Sequence, residues 1–213
     1  MHSNRLVVHA VCGLALLLPA MAGAATTIYD EAERGDFANA NLASAGISPG
    51  TFAGLMSDTI NTINGTFGNS TAPVRDTDVF SFRIPTGHQL TAINLTYTTI
   101  SGDSGGGSYF GIQGGLDIGT GFATVGSNLS NALIMDSGNL LASFAAGPEF
   151  DGTGLTAPLG AGDYTMFLSE THAVVGYKMD FAVSAVPEPG EWAMLLAGLG
   201  LMGCIVRRRT NKG

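Results

Sequence analysis

Residues 174–183 alternate without a break: Val175, Tyr177, Met179, Phe181 and Val183 are apolar, and Gly176, Lys178, Asp180 and Ala182 lie between them. A period of two puts every second side chain on one side of a pleated strand, so this stretch can bury one face and leave the other polar. The pattern recurs. Residues 78–84 set Phe80, Phe82 and Ile84 against Val79, Ser81 and Arg83, and residues 90–99 set Ile93, Leu95 and Tyr97 on one side. Pro85-Thr86-Gly87 between them has turn chemistry, which predicts a hairpin. Residues 109–113, 132–135, 140–144 and 163–169 read as further strands, 26–30 and 58–64 as weaker ones, and 38–46 as loop or a short helix. The 31 Gly, 8 Pro and only 12% charged residues suit short strands joined by tight turns. The expected fold class is all-β, an antiparallel β-sandwich or jelly roll, flanked by an N-terminal signal helix and a C-terminal transmembrane helix.

The flanks are set apart by their residues. Residues 1–24 place Arg5 in a short polar start, then an apolar run over 6–18, a breaking Pro19, and Ala22-Gly23-Ala24, small residues of the kind a signal peptidase accepts. Cleavage is expected after Ala24. The run is shorter than the ~20 residues a membrane-spanning helix needs.

Residues 186–213 divide into three physical parts. Pro187 and Pro189 fix φ and remove backbone donors on either side of Glu188, so Pro187-Glu188-Pro189 should be extended and exposed, offering one carboxylate to an enzyme. Residues 192–206 carry no charge and are expected to form a transmembrane helix. At 1.5 Å per residue they reach ~22 Å against a ~30 Å hydrocarbon core, so the helix would thin the bilayer or lean on its flanks. Trp192 should lie at the outer interface, and Arg207, Arg208 and Arg209 should hold the C-terminus in the cytoplasm. Residues 1–24, 25–185 and 186–213 are therefore read as signal peptide, folded body and sorting tail.

At these tail residues the chain resembles the PEP-CTERM sorting signal of Gram-negative bacteria, with motif, helix and basic tail in order. The resemblance implies recognition by an exosortase, a membrane-embedded cysteine transpeptidase thought to cut near the Pro-Glu-Pro, in organisms that make exopolysaccharide. Three phrases of the body, Tyr29-Asp30-Glu31 with Gly35-Asp36, Asp76-Thr77-Asp78-Val79-Phe80-Ser81-Phe82, and Gly162-Asp163-Tyr164-Thr165, resemble extracellular β-sandwiches similar to bacterial pre-peptidase C-terminal domains. That resemblance implies an accessory or surface role and brings no catalytic residue.

Charge narrows the partners. Of the 9 basic residues, Arg5, Arg207, Arg208, Arg209 and Lys212 lie in the ends, and of the 17 acids Glu188 and Glu191 lie in the tail. The body thus sets 15 acids against Arg34, Arg75, Arg83 and Lys178, a formal charge of −11. Such a field repels phosphate backbones, so nucleic acid is not an expected partner, and membrane contact is left to the apolar tail. Calcium and cationic surfaces are compatible with it. Cys12 and Cys204 both fall in the ends, so the body has no disulfide and depends on packing.

Gly102-Asp103-Ser104-Gly105-Gly106 spells the nucleophile segment of chymotrypsin-like proteases, but Gly107 stands where that family has proline and His88 lacks its histidine motif. His88 and His172 sit at no zinc-ligand spacing and read as surface turn residues. Asp76 and Asp78 could supply oxygen ligands to Ca²⁺, but no EF-hand or repeat pattern surrounds them, and a strand-start turn is the favoured reading. No cofactor is expected. The reading is a non-enzymatic cell-surface or extracellular-matrix protein, associated with exopolysaccharide or biofilm. It would be exported by the secretion machinery, trimmed by signal peptidase, anchored transiently in the inner membrane and sorted by an exosortase. The alternatives are a polysaccharide- or protein-binding adhesion module, favoured by an exposed aromatic row on one sheet, and a secreted hydrolase.

Overall fold

A computed structural model describes residues 24–39, 50–51, 55, 59–68, 76–115, 128–186 and 189–210. Most of the expected signal peptide, Ala22 included, lies outside them, as do residues 40–46 and Pro187 and Glu188 of the expected sorting motif. The described strands are β1 (Ala25–Asp30), β2 (Ala38–Asn39), β3 (Gly50–Thr51), β4 (Ile60–Phe67), β5 (Thr77–Ile84), β6 (His88–Gly102), β7 (Ser108–Gly114), β8 (Asn128–Ile134), β9 (Gly138–Asn139), β10 (Gly162–Ser169) and β11 (Ala173–Ala185). Three helices accompany them: α1 (Glu31–Arg34), α2 (Leu140–Ala145) and α3 (Pro189–Thr210).

The strands form two sheets, β1-β4-β11-β6-β9 and β2-β5-β10-β7-β8, with β3 beside β5. β11 shows why. Its Val175, Met179 and Phe181 are fully buried and its Tyr177 and Val183 nearly so, because the period of two turns all five toward the second sheet. There Phe181 meets Phe82 of β5 at 5.1 Å between ring centroids, and Phe67 of β4 meets Phe110 of β7 edge-on at 5.5 Å. Both pairs bridge the sheets. Phe67, Phe80, Phe82, Phe110, Phe144 and Phe181 are all fully buried, and each such ring contributes about 1.5–3 kcal/mol by leaving water. The all-β, two-sheet expectation therefore holds.

Three details depart from it. The turn at Pro85-Thr86-Gly87 is present, with Gly87 at φ 75°, but it joins no hairpin. β5 pairs with β10, and β6 pairs with β11 in the other sheet. Two strands with matching apolar faces can lie side by side or face each other across a core, and alternation alone does not distinguish the two. Residues 140–144, read as a strand, instead form α2: Asn139 Oδ1 accepts the Ala142 N–H at 3.3 Å as an N-cap. Leu140, Leu141 and Phe144, all buried, share one helical face. Finally, the sandwich is not wholly antiparallel, since β1 runs parallel to β4 and β3 parallel to β5. Between β1 and β4 the chain visits the second sheet, and such a crossover can return a strand in the same direction, which a tight turn cannot.

Candidate functional site

The crossing from β1 to β2 builds an acidic cluster. Asp30 ends β1 with both oxygens engaged: Oδ1 accepts the Ala32 N–H at 3.0 Å and caps α1, and Oδ2 accepts from Asn64 Nδ2 at 3.0 Å. The helix lasts a single turn. Gly35, at φ 90°, closes it by donating its N–H to Glu31 O at 2.9 Å, and the Tyr29 hydroxyl donates to Gly35 O at 2.9 Å. Phe37 then enters the core between Tyr29, stacked at 4.2 Å, and Phe80 at 4.9 Å. With its flanks fixed, Glu31 lies back over β4, where Oε2 accepts the Thr66 N–H at 2.7 Å and Oε1 accepts the Phe37 N–H at 3.2 Å.

The second half of the cluster comes from β5. Asp78 has the parity of Phe80, Phe82 and Ile84, so the alternation that buries those side chains carries a carboxylate to a core-facing position. It is 0% exposed, and neither of its oxygens has a hydrogen-bond partner. Carboxylate oxygens of Glu31, Asp36 and Asp78 lie within 4.8 Å of one another. Asp76 stands at the rim with its Oδ1 buried and unpartnered. The Tyr177 hydroxyl, from β11, lies beside Asp78 and favours its charged form without reaching hydrogen-bond geometry. Asp30, Glu31, Asp36, Asp76, Tyr177 and Lys178 are among the residues that line a cavity of ≈ 660 Å³; Asp78 is not.

The electrostatics are those of crowded anions. Burial, and then the charges of Asp36 and Asp76, push the Glu31 carboxyl up to about 7 against the pull of its two backbone N–H donors. Burial and Asp36 raise Asp76 to about 6. Burial, then Glu31, Asp76 and Asp36, lift Asp78 well above the usual carboxylate range. Every charge acting on these three is another carboxylate. Buried carboxylates without a countercharge are costly, and the cost is met by a proton or by a cation. Oxygen-only donors of this kind suit hard cations.

The buried Glu170 shows the opposite case. Its Oε2 accepts from Ser108 Oγ at 2.7 Å, and its Oε1 accepts the N–H groups of Thr171 and His172 at 2.7 and 2.8 Å. It is a satisfied structural acid.

The sequence pointed to Asp76 and Asp78. Asp78 is not in a strand-start turn, however, but inside β5, paired with Asn39 of β2 and Leu168 of β10. Glu31 and Asp36 were missed as their companions because they lie some 40 residues away and are brought in only by the crossing. The readable signal was the carboxylate at an apolar position of the β5 alternation. Gly102-Asp103-Ser104-Gly105-Gly106 forms the β6–β7 turn, in which Asp103 Oδ1 accepts the Gly105 N–H at 2.9 Å and Ser104 O accepts from Gly107 N at 2.5 Å. His88 Nδ1 faces Thr86 O at 3.1 Å, and His172 Nδ1 faces its neighbour Thr171 Oγ1 at 2.7 Å.

At the C-terminal end Val186 N–H bonds Gly87 O at 2.8 Å, tying β11 to the β5–β6 turn. Pro189 is not extended, contrary to expectation. It is the first residue of α3, where a fixed φ and a missing N–H suit the opening turn of a helix. The 22 residues of α3 include 192–206 and continue through Arg207, Arg208 and Arg209. The side chains of Trp192, Arg208 and Arg209 lie outside the described residues; Arg207 is exposed. Met194, Leu195, Leu196, Leu199, Leu201 and Met202 are exposed around the helix. Among the described residues no helix is long and apolar enough to cross a membrane, so the transmembrane helix expected at 192–206 is not shown. Ala24 is exposed just before β1.

No curated protein and no solved structure matches the chain, so the likeness of the body to pre-peptidase C-terminal domains has no support from either comparison. Residues 185–209 match the PEP-CTERM protein-sorting motif, which implies an exported protein with a transiently membrane-anchored C-terminus and an exosortase as its processing partner.

Proposed function

We propose that this chain is a non-enzymatic protein of the cell surface or extracellular matrix, delivered by its sorting tail and associated with exopolysaccharide or biofilm. The observation that carries the reading is the sorting motif at residues 185–209, directly after the last strand of an all-β body. Secretion begins with the signal peptide at residues 1–24, and residues 25–185 are the delivered cargo, an accessory sandwich of the pre-peptidase C-terminal kind. The exposed leucines and methionines of α3 are the surface that lipid covers, with Trp192 at the outer interface, Arg207 to Arg209 in the cytoplasm and the bilayer locally thinned.

The adhesion-module alternative draws on one feature. Tyr109 stacks on Phe150 at 6.0 Å, and Phe150 is 56% exposed, an aromatic surface of the kind that sugars stack against. Retention of the secreted protein on its host's own exopolysaccharide favours that version.

The test of the main reading separates insertion from processing. Glu188→Ala removes one carboxylate and leaves the apolar run and its arginines unaltered, so the variant should insert normally and stay uncut. Immunoblots of membrane and secreted fractions, in strains with and without the exosortase, read both steps. If Glu188→Ala is cut and released like the wild type, the Pro-Glu-Pro motif is only a linker and the proposal is wrong.

A further inference from the structure

A core-facing carboxylate with two idle oxygens is an anomaly in a fold that satisfies its other buried acid fully. Glu170 receives three hydrogen bonds, whereas Asp78 receives none and points at Glu31 and Asp36. Apolar burial alone would select a leucine or phenylalanine at this parity, as it does at Phe80 and Phe82. We propose that Glu31, Asp36 and Asp78, with Asp76 at the rim, form a calcium-binding site that pins the first crossing of the chain to the second sheet.

Three observations converge on this chemistry. The donors are all carboxylate oxygens, the ligand type of hard divalent cations. Their mutual separation, within 4.8 Å, fits inside the roughly 5 Å that two ligands on opposite sides of one Ca²⁺ span at 2.3–2.6 Å each. Small side-chain adjustments therefore suffice for one ion to touch all three. Mg²⁺, with shorter bonds and a strict octahedron, fits such an irregular set less well and would keep most of its water. Finally, Glu31, Asp36 and Asp76 line an open cavity, which gives an ion access to those three carboxylates, with the buried Asp78 as the inner ligand, and leaves space for water to complete a shell of six to eight oxygens. The backbone N–H bonds from Thr66 and Phe37 fix Glu31, and Asp30 fixes the turn that carries it. The cradle is thus built before the ion arrives.

The consequence is mechanical as well as electrostatic. Glu31 and Asp36 belong to the segment that leaves the first sheet, and Asp78 to a strand of the second. Bound Ca²⁺ would join them at the point where the chain changes sheets, and would offset part of the −11 charge of the body.

The test uses the full chain, solubilised in detergent, stripped with EDTA and freed of chelator. Adding Ca²⁺ to about 100 times its Kd should raise Tm by about 5 °C or more, since the ion binds only the folded state. Tb³⁺, a probe for Ca²⁺ sites, should luminesce on tyrosine excitation because Tyr177 lies at the cluster, and Ca²⁺ should quench that signal by competition. Asp36→Asn alters an exposed side chain and leaves the core intact, so it should raise the half-saturating Ca²⁺ concentration by about tenfold or more. Asp78→Asn removes the buried charge, so it should raise the metal-free Tm and abolish the Ca²⁺ response. If millimolar Ca²⁺ leaves both Tm and Tb³⁺ emission of the wild type unchanged, or if Asp36→Asn responds like the wild type, the site does not exist.

Discussion

Gly65 is required by its neighbours rather than by its own backbone. A Cβ at this position of β4 would stand 2.5 Å from the Tyr177 hydroxyl oxygen, 2.7 Å from Cζ of the same ring and 2.8 Å from the Glu31 carboxyl carbon. Tyr177 is held against Phe67 at 5.7 Å and is only 5% exposed, so the ring has nowhere to retreat. Gly65→Ala should therefore lower stability by about 1–3 kcal/mol, the range for overfilling a packed site, read as a drop in the urea midpoint. It should also displace Glu31 and weaken the response to Ca²⁺. Gly87→Ala, with nothing within 4 Å of its Cβ but φ at 75°, would act through backbone strain alone and leave the Ca²⁺ response as it is. The same close packing makes a charge on Asp78 costly, because its side chain is 0% exposed and neither oxygen has a hydrogen-bond partner.

Among the elements, α2 shows how little separates a strand from a helix in a short apolar run. Leu140, Leu141 and Phe144 satisfy either period over so few residues, and the outcome rests on Asn139, which caps the first turn and also accepts the Ile93 N–H of β6 at 3.4 Å. Asn139→Ala removes both bonds and should cost about 1 kcal/mol, within the 0.5–2 kcal/mol range for lost N-caps, measured by urea denaturation. A change indistinguishable from zero would mean that burial of Leu140, Leu141 and Phe144 holds the turn unaided. Register within β6 is likewise a local matter. A bulge between Leu90 and Ala92 shifts the phase opposite Val183, so that Leu90 and Ile93, of opposite sequence parity, both face the core.

At the scale of the molecule, the aromatic pairs that bridge the sheets form one core between β1 and β11, with no part supplied by a disulfide. Residues 25–185 should therefore fold alone, giving a mainly β far-UV circular dichroism spectrum and a cooperative melt; a helical or unfolded spectrum would refute this division of the chain. The strands at 78–84, 109–113, 163–169 and 174–183 could be read directly, because the side chains facing the main core impose a period of two on the residues themselves, even though β5 and β10 also bury Val79 and Phe167 on the other side. The sorting motif could be read because an enzyme must recognise it as contiguous sequence. The pairing of strands was not legible: β5 and β6 are consecutive, joined by a turn, and still belong to different sheets, since any apolar face can meet any other across a core. Nor was the acidic cluster. Local sequence placed a carboxylate at Asp78 in step with the core phenylalanines, and only the crossing from β1 to β2 brought Glu31 and Asp36 against it, because oxygens far apart in the chain become neighbours through long-range packing that no local pattern encodes.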